Sequence, residues 1–262
     1  MASSRPAYTL PLLSCLFLFT LIFSCSSSSA SIAKVSPPDS QKVSVGLYYE
    51  SLCPYSANFI VNYLVKIFED DFISIVDLNL VPWGNARIKA DNSVNCQHGP
   101  NECLLNTVEA CAIDIWPELS KHFPFIYCIE YLAYERKYSQ WEKCFEKLDL
   151  DPKPITECYT SEHGKKLELQ YAAETAALKP PHQYVPWVVV DGQPLYEDYE
   201  NFLSYICKAY KGTAVPRICS ENSLSTIKMR RPKFSRPVCY KEETKKSAFS
   251  ARIRSAIASW MQ

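Results

Sequence analysis

Residues 43–56 have the sequence V-S-V-G-L-Y-Y-E-S-L-C-P-Y-S and predict the centre of the fold. Large apolar side chains alternate with smaller or polar ones up to Tyr49, which is the pattern of a strand with one buried face. After Cys53, apolar residues recur at helical spacing as far as Phe68 and predict a helix of about four turns. The nearly continuous apolar run of residues 73–81 then predicts a strand buried on both faces. Strand, helix and strand form a βαβ unit with a cysteine at its first turn.

The rest of the chain completes this unit after a long interruption. Residues 91–178 carry apolar side chains at helical spacing and predict a mostly helical insertion. Strand-like sequence returns only at residues 187–190, followed by a turn at residues 191–192 and an amphipathic helix over residues 199–210. The predicted fold class is therefore α/β, with a thioredoxin-like core (βαβ then ββα) and a helical, disulfide-rich insertion.

The first thirty residues predict a secretory signal peptide. Arg5 lies in a short polar segment, residues 10–23 are mainly apolar, and Ser28, Ser29 and Ala30 offer small side chains for cleavage. An uncleaved membrane anchor is the alternative, but about 14 apolar residues fall short of the ~20 that span a bilayer. No later segment is long and apolar enough to cross a membrane. We therefore expect the secretory pathway, with residence outside the cell or in a lysosome or vacuole.

Cysteine is abundant, with 12 residues in the chain. Two precede residue 31, which leaves ten, and such density is typical of an oxidising compartment in which disulfides persist. Zinc is disfavoured because the C-x2-C and H-x3-H pairs of zinc sites are absent. We expect Cys207 to pair with Cys219, which leaves Cys239 as a free thiol, as the link of a covalent dimer, or in a segment that processing removes. The insertion holds six further cysteines that are expected to form structural disulfides, with a pairing that sequence cannot choose: Cys96, Cys103, Cys111, Cys128, Cys144 and Cys158.

Charged residues are unevenly distributed along the chain, although its formal net charge is zero. Ten Lys or Arg and two Glu occur from residue 225 onward, a local balance of +8. Such a tail can bind an acidic partner or a membrane surface. It can equally be a solvated, removable extension, and its scattered bases, interrupted by Pro232 and Pro237, favour this second interpretation. The predicted divisions are a signal peptide at residues 1–30, a thioredoxin-like domain at residues 31–219 and a basic tail at residues 220–262.

Residues 96–111 carry a second pattern, C-Q-H-G-P-N-E-C-L-L-N-T-V-E-A-C. It matches all eight specified positions of C-Q-H-G-x2-E-C-x2-N-x4-C, and so resembles the signature of the gamma-interferon-inducible lysosomal thiol reductase family. Residues 81–86 and 180–188 are also similar to segments of that family. The resemblance implies a thioredoxin-like enzyme that reduces protein disulfides in lysosomes, vacuoles or the extracellular space at acid pH. It also places the family's redox motif, usually C-x-x-C, at residues 53–56, which are C-P-Y-S here.

Cys53 is the candidate nucleophile. A thiol attacks a disulfide only as the thiolate, and the free N–H groups and positive dipole end of a helix N-terminus favour that charge. Pro54 suits the first helical position, where its missing N–H is not needed, and we expect Ser56 to donate its O–H to the Cys53 sulfur. The resemblance implies that Pro186 follows a cis peptide bond and faces Cys53. The candidate catalytic residues are therefore Cys53, Ser56 and Pro186.

Ser56 restricts the reaction that can be expected. In a dithiol enzyme the second cysteine of the motif attacks the mixed disulfide and releases the product, which a serine cannot do. Release would then need a thiol of the substrate or a small thiol such as glutathione. Beyond the predicted signal peptide, Cys96 is the nearest candidate in sequence, but the cysteines of the insertion are expected to form structural disulfides. His98 could act as a base or a pH sensor, although a histidine packed in a loop is the commoner case.

Three functions remain open. The first is a thiol–disulfide oxidoreductase of reductase or isomerase type that acts on protein disulfides through the single nucleophile Cys53. The second is a weakly catalytic or non-catalytic module that binds extended or unfolded protein chains. The third is a structural role in which Cys53 is one more cross-link. A free, accessible Cys53 would support the first two, and its pairing elsewhere would support the third. We expect no cofactor, no metal and no nucleic-acid partner.

Overall fold

The computed structural model describes residues 42–69, 71–213, 215–219 and 238–241. The predicted signal peptide lies outside these residues, as does most of the predicted basic tail. Within them, no helix has the length and apolar character needed to span a membrane.

Eight strands occur in the described residues. They are β1 (Val43–Tyr49), β2 (Val76–Pro82), β3 (Arg87–Ile88), β4 (Val94–Asn95), β5 (Tyr184–Val185), β6 (Trp187–Val190), β7 (Gln193–Pro194) and β8 (Cys239–Tyr240). Four of them form the main sheet in the order β2-β1-β6-β7. Strand β1 runs parallel to β2 and antiparallel to β6, which is antiparallel to β7. Two small sheets pair β3 with β4 and β5 with β8.

Seven α-helices and several 3-10 helices complete the described part. The α-helices are α1 (Pro54–Asn62), α2 (Pro100–Ile115), α3 (Leu119–Tyr134), α4 (Lys143–Lys147), α5 (Lys153–Tyr159), α6 (Glu162–Ala176) and α7 (Phe202–Ala209). The 3-10 helices are Leu64–Phe68, Phe72–Ile75, Tyr138–Gln140, Tyr196–Asn201 and Arg217–Cys219. The order β1-α1-β2, then α2 to α6, then β6-β7-α7 confirms a thioredoxin-like core with a helical insertion.

Strand β1 is the centre of the main core because it has a partner on each side. Leu47 pairs with Leu80 of β2 and with Val188 of β6, and all three side chains are buried. On one face, Phe59 of α1 packs edge-on against Tyr199 and Phe202, with ring centroids 5.5 and 5.3 Å apart. These contacts fix α1 against the sheet, so that its first residue lies at the carboxyl end of β1.

Helix α1 is shorter than the periodicity predicted. It has nine residues, and the chain turns at Tyr63 (φ −119°, ψ −56°) into the 3-10 helix Leu64–Phe68. Leu64 and Ile67 are the buried residues of that helix. They are three positions apart, and a helix with three residues per turn keeps both on the core side. The expectation of a helix of about four α-helical turns is wrong for this reason.

Four disulfides lie away from Cys53, and three of them are within the insertion. They are Cys96–Cys103, Cys111–Cys158, Cys128–Cys144 and, beyond the insertion, Cys207–Cys219. The second joins α2 to α5 across 47 positions, and the third joins α3 to α4 across 16. Closing loops of these lengths stabilises a fold by about 3–4 kcal/mol each, chiefly by restricting the unfolded chain.

Candidate active site at the start of helix α1

Cys53 occupies the N-cap position of α1, where the chain arrives from β1. Its backbone is extended (φ −72°, ψ 115°), and Pro54 is the first helical residue. The Ala57 N–H donates to the Cys53 carbonyl at 3.0 Å, which is the first bond of the helix. The first-turn N–H groups and the positive end of the helix dipole therefore adjoin a cysteine that is fully buried.

Cys53 is bonded to Cys239, 186 positions away, with their Cα atoms 6.2 Å apart. Two expectations are therefore wrong: Cys53 is not a free thiol, and Cys239 is not left over. All ten cysteines beyond residue 30 lie in the described ranges and are paired, so in this state Cys239 has no thiol with which to link a second chain. The physical reason is strand β8, in which Cys239 lies opposite Val185 of β5 beside the start of α1.

Residues 238–241 pack on the domain although the sequence assigned them to a separate basic tail. Besides the β5–β8 pairing, two side chains hold this segment by its backbone. Asn85 Nδ2 donates to the carbonyl of Cys239 at 2.9 Å. Gln97 Nε2 donates to the carbonyl of Tyr240, also at 2.9 Å. The segment thus belongs to the site.

Pro186 follows a cis peptide bond with Val185, as the resemblance implied. The Val185 carbonyl oxygen lies 3.9 Å from Cys53 Sγ. Val185, Cys53 and Cys239 form a small buried apolar cluster, against which Tyr55 packs. The loop that carries Pro186 is therefore in contact with the candidate nucleophile through its neighbouring residue.

Ser56 does not make the expected hydrogen bond to Cys53. It is fully buried, and its Oγ has no hydrogen-bond partner among the described residues. The Cys53 sulfur is engaged in a disulfide, where it carries no negative charge and accepts hydrogen bonds only weakly. In this oxidised state Ser56 therefore contributes packing rather than polar support.

His98 lies between two buried glutamate side chains and the disulfide. Its Nδ1 is 2.5 Å from Glu102 Oε2 and 3.4 Å from Glu50 Oε1. Its backbone N–H donates to Glu102 Oε1 at 3.1 Å, which fixes the loop to the start of α2. Its other ring nitrogen, Nε2, is 3.8 Å from Cys239 Sγ. An imidazole held by a carboxylate on one side and facing a sulfur on the other can move a proton at that sulfur.

Several carboxyl groups behind His98 are shielded from water. Burial, and after it the charge of Glu102, raise the pKa of Glu50 to about 8, although the Asn85 N–H donates to Glu50 Oε2 at 2.8 Å and opposes the rise. Deeper in the insertion, burial raises the pKa of Glu109 to about 8. Burial and then the charge of Glu109 raise the pKa of Glu130 well above its ordinary value. Below neutral pH Glu50 and Glu109 are therefore mainly protonated.

Glu50, His98 and Glu102 also offer three metal-ligand atoms within 4.8 Å of one another. The imidazole and the Glu102 carboxylate already share a hydrogen bond, and burial favours the protonated form of Glu50. Because metal ligands must be deprotonated and free to coordinate, both features disfavour a cation at this cluster.

The signature at residues 96–111 converges on the same site. Gln97 and His98 contact the β8 segment, as described above. Asn106 Oδ1 accepts from the N–H of Ser51 at 2.9 Å, and so binds α2 to the loop that leads to Cys53. The chain segment with the family-like pattern is thus the segment that organises the surroundings of the disulfide.

Comparisons with known proteins identify relatives of this chain. A sequence profile described as gamma interferon inducible lysosomal thiol reductase (GILT) matches residues 44–148. A protein of Arabidopsis thaliana, named gamma-interferon-responsive lysosomal thiol protein, is 42% identical over 205 residues, which are 77% of this chain and 85% of that protein. The gamma-interferon-inducible lysosomal thiol reductase of Mus musculus is 39% identical over 210 residues, 78% of this chain and 79% of that protein. The chain belongs to the GILT family.

Named members of the GILT family are thiol reductases, which are oxidoreductases that act on sulfur groups. Among solved structures, DsbA of Chlamydia trachomatis is 14% identical, with 63% of this chain and 87% of that chain covered and a TM-score of 0.47.

Some residues of the site were not found by sequence reasoning. The predicted residues Cys53, Pro186 and His98 lie together, whereas Cys239 was assigned to the tail. Glu50 was also missed, since a single glutamate after a strand carries no pattern. Asn85 lies in the GILT-like run of residues 81–86, and that run was the one available signal for it.

Proposed function

We propose that this chain reduces disulfide bonds of protein substrates, with Cys53 as the nucleophile. One observation carries the proposal: the Cys53 sulfur lies at the N-terminus of α1, in contact with the loop of Pro186, and is bonded to a second cysteine. We interpret the Cys53–Cys239 bond as the oxidised form of a redox-active dithiol pair. After reduction, the helix N-terminus would favour its thiolate.

The reaction follows from thiol–disulfide exchange. The Cys53 thiolate attacks one sulfur of the substrate disulfide, forms a mixed disulfide and displaces the other substrate sulfur, which takes up a proton. A second thiol then attacks Cys53 Sγ and releases the first substrate sulfur. Regeneration needs two electrons, which two equivalents of a small thiol such as glutathione can supply.

The proposed setting is the secretory pathway and an acidic compartment such as a lysosome or vacuole, or the extracellular space. Five disulfides are consistent with passage through the secretory pathway, where oxidising conditions allow disulfides to form. Raised pKa values keep Glu50 and Glu109 neutral at acid pH, where their burial then costs least.

By the test set from the sequence, the pairing and the full burial of Cys53 support the structural role, in which this bond is one more cross-link. We favour the redox role because His98 Nε2 lies 3.8 Å from Cys239 Sγ and because the relatives are named for thiol chemistry. The two roles differ in how readily the bond is reduced. A redox bond opens under mild reductant before the other four disulfides, whereas a structural cross-link resists as they do.

Insulin reduction with a small thiol as electron donor tests the proposal. The wild-type protein should accelerate the reaction at acid pH, and Cys53→Ala should reduce the rate to the uncatalysed level. The double variant Cys207→Ser/Cys219→Ser is the matched control, since it also lacks one disulfide but should retain activity within about twofold. Wild-type activity in Cys53→Ala would overturn the proposal. Mass spectrometry can measure the order in which the disulfides are reduced. If the Cys53–Cys239 bond opens only together with the other four disulfides, the structural role is favoured.

A further inference from the structure

The serine at position 56 leaves the second half of the reaction without a thiol in the motif. We propose that Cys239 is the resolving cysteine of this chain, with His98 as the group that takes its proton. This inference rests on the proposed function of Cys53. It assigns the releasing step to a cysteine outside the C-P-Y-S motif, and it makes residues 238–241 a part of the catalytic machinery.

The position of Cys239 meets the geometric requirement. Its sulfur is already bonded to Cys53 Sγ, and the Cα separation of 6.2 Å lies within the range for disulfides. The alternative suggested by sequence proximity, Cys96, is bonded to Cys103. Because the remaining cysteines are paired with one another as well, Cys239 is the one cysteine of the described residues with access to a mixed disulfide on Cys53.

The segment around Cys239 is held by contacts that do not depend on the disulfide. Asn85 and Gln97 each donate to a carbonyl of β8, and the N–H of Lys241 donates to the Gln183 carbonyl at 3.0 Å. The Tyr240 ring packs edge-on against Tyr184, with centroids 5.7 Å apart. After reduction these contacts keep the Cys239 thiol beside Cys53, and a thiol held in place attacks as if at very high concentration.

The hydrogen bonds of His98 determine which ring nitrogen can act. Glu102 Oε2 accepts from Nδ1–H, so in the neutral imidazole Nε2 carries the lone pair. Nε2 is the atom that faces Cys239 Sγ at 3.8 Å. The carboxylate thus orients the ring and stabilises the imidazolium that forms when Nε2 accepts the thiol proton.

The complete cycle balances in atoms and electrons. In the mixed disulfide, Cys239 Sγ gives its proton to His98 and attacks Cys53 Sγ. The bond between Cys53 and the substrate sulfur breaks, the Cys53–Cys239 bond forms, and the departing thiolate takes a proton from the imidazolium. The substrate disulfide has then become two thiols, and the enzyme dithiol has become the disulfide seen in the structure. Two equivalents of a small thiol restore the dithiol and leave as their own disulfide.

Oxidised glutathione is a suitable probe because it needs no protein substrate. Wild-type protein is first reduced under conditions that spare the other four disulfides, and one equivalent of oxidised glutathione is added. We expect the Cys53–Cys239 bond to reform, with both glutathione molecules released. Cys239→Ser, in which Cys53 is free, should instead retain one glutathione on Cys53. The Cys207→Ser/Cys219→Ser control should behave as wild type.

The outcomes separate this inference from the proposed function. Wild-type protein that retains glutathione as Cys239→Ser does would overturn the resolving role, even if insulin is reduced. If the wild-type protein releases glutathione from Cys53 but does not reduce insulin, the resolving role of Cys239 stands and the protein-reductase function is refuted. In the insulin assay, Cys239→Ser should lose turnover by at least about tenfold and accumulate a covalent insulin adduct on Cys53. Unchanged turnover without an adduct would also overturn the inference.

The role of His98 is tested by His98→Gln, which keeps a polar side chain in the loop. Within the part of the chain that the structure describes, the titratable groups seen to face His98 are Glu50, Glu102 and Cys239, from three separate segments. At pH 6 we expect His98→Gln to release glutathione from Cys53 about tenfold more slowly than wild type. The difference in rate should become smaller at alkaline pH, where a thiol ionises without a base. If the variant is slower by the same factor at every pH, His98 has a merely structural role. If the rate of glutathione release is unchanged, His98 does not take the proton of Cys239.

Discussion

Gln97 Nε2 donates to the carbonyl of Tyr240 at 2.9 Å, across 143 positions of sequence. The same glutamine accepts at Oε1 from Asn85 Nδ2 at 2.7 Å, and Asn85 Nδ2 also donates to the carbonyl of Cys239. These bonds join the loop before α2, the loop after β2 and strand β8. The placement of the Cys239 sulfur therefore depends on two amides as well as on the disulfide.

Replacing Gln97 by leucine should slow the reformation of the Cys53–Cys239 bond after reduction. The variant keeps the side-chain volume but loses the bond to Tyr240, so the Cys239 thiol samples more positions. We expect severalfold slower closure in the oxidised-glutathione experiment and a loss of about 1 kcal/mol in the free energy of unfolding. Gln140→Leu is the control, since the Gln140 side chain is exposed and accepts a hydrogen bond from Lys143 Nζ rather than from a residue of the site. Equal closure rates in the two variants would show that Gln97 does not position β8.

Introducing a cysteine at position 56 should rescue the loss of Cys239. Ser56 is one turn along α1 from Cys53, and its Oγ is buried without a hydrogen-bond partner among the described groups, so a thiol of similar size fits there. We expect Ser56→Cys/Cys239→Ser to recover most of the insulin turnover that Cys239→Ser alone loses. If the double variant stays as slow as the single one, the missing second thiol is not the cause of the defect.

The buried Glu109 should make the protein more stable at acid pH. Burial raises its pKa from 4.5 to about 8, so between these values the folded state binds a proton that the unfolded state releases. Its contribution to the free energy of unfolding is therefore fully present below about pH 4.5 and is lost as pH rises through 8. Glu109→Gln removes this dependence, so its stability relative to wild type should improve steadily between pH 4.5 and pH 8. Denaturant unfolding across that range measures the difference. Glu135→Gln, at an exposed position beside Lys137, should show no such trend.

Alanine at position 84 should destabilise the site. Gly84 has φ +58°, and an added Cβ would lie 2.6 Å from Glu50 Oε2 and 3.1 Å from the Tyr49 carbonyl. We expect a loss of about 1–3 kcal/mol in the free energy of unfolding, together with displacement of Glu50. Gly192→Ala is the matched comparison, because it has φ +77° but nothing within 4 Å of the added atom. Equal losses in both variants would mean that the contact with Glu50 contributes nothing beyond backbone strain.

Local periodicity predicted the parts of the fold that depend on local interactions. The alternation in β1, the place of Cys53 at a helix start and the return of strand sequence at Trp187–Val190 all follow from side-chain pattern and burial. The cis bond before Pro186 was available only from the family resemblance, because a proline reveals nothing about its isomer.

The missed features depend on contacts between distant segments. Strand β8 has two residues, too few to show any alternation, and its pairing with β5 lies more than fifty positions along the chain. Glu109 is buried on the same helix as exposed polar residues, and its burial follows from how α3 packs on α2. A pattern within one helix does not carry that information.

The chain that the Cys53–Cys239 bond closes into a loop includes residues 220–237, which follow the last 3-10 helix and precede β8 in sequence. A protease that cuts once in this interval would yield two polypeptides, yet the bond would keep them together as one covalent species. Each catalytic cycle would then pass through a form in which non-covalent contacts alone retain the small fragment, among them the bonds from Asn85 and Gln97 and the β5–β8 pairing. The small fragment could dissociate each time the disulfide is open, so the number of turnovers would determine how long the nicked protein stays intact. On a denaturing gel the nicked protein would run as one band without reductant and as two bands with reductant.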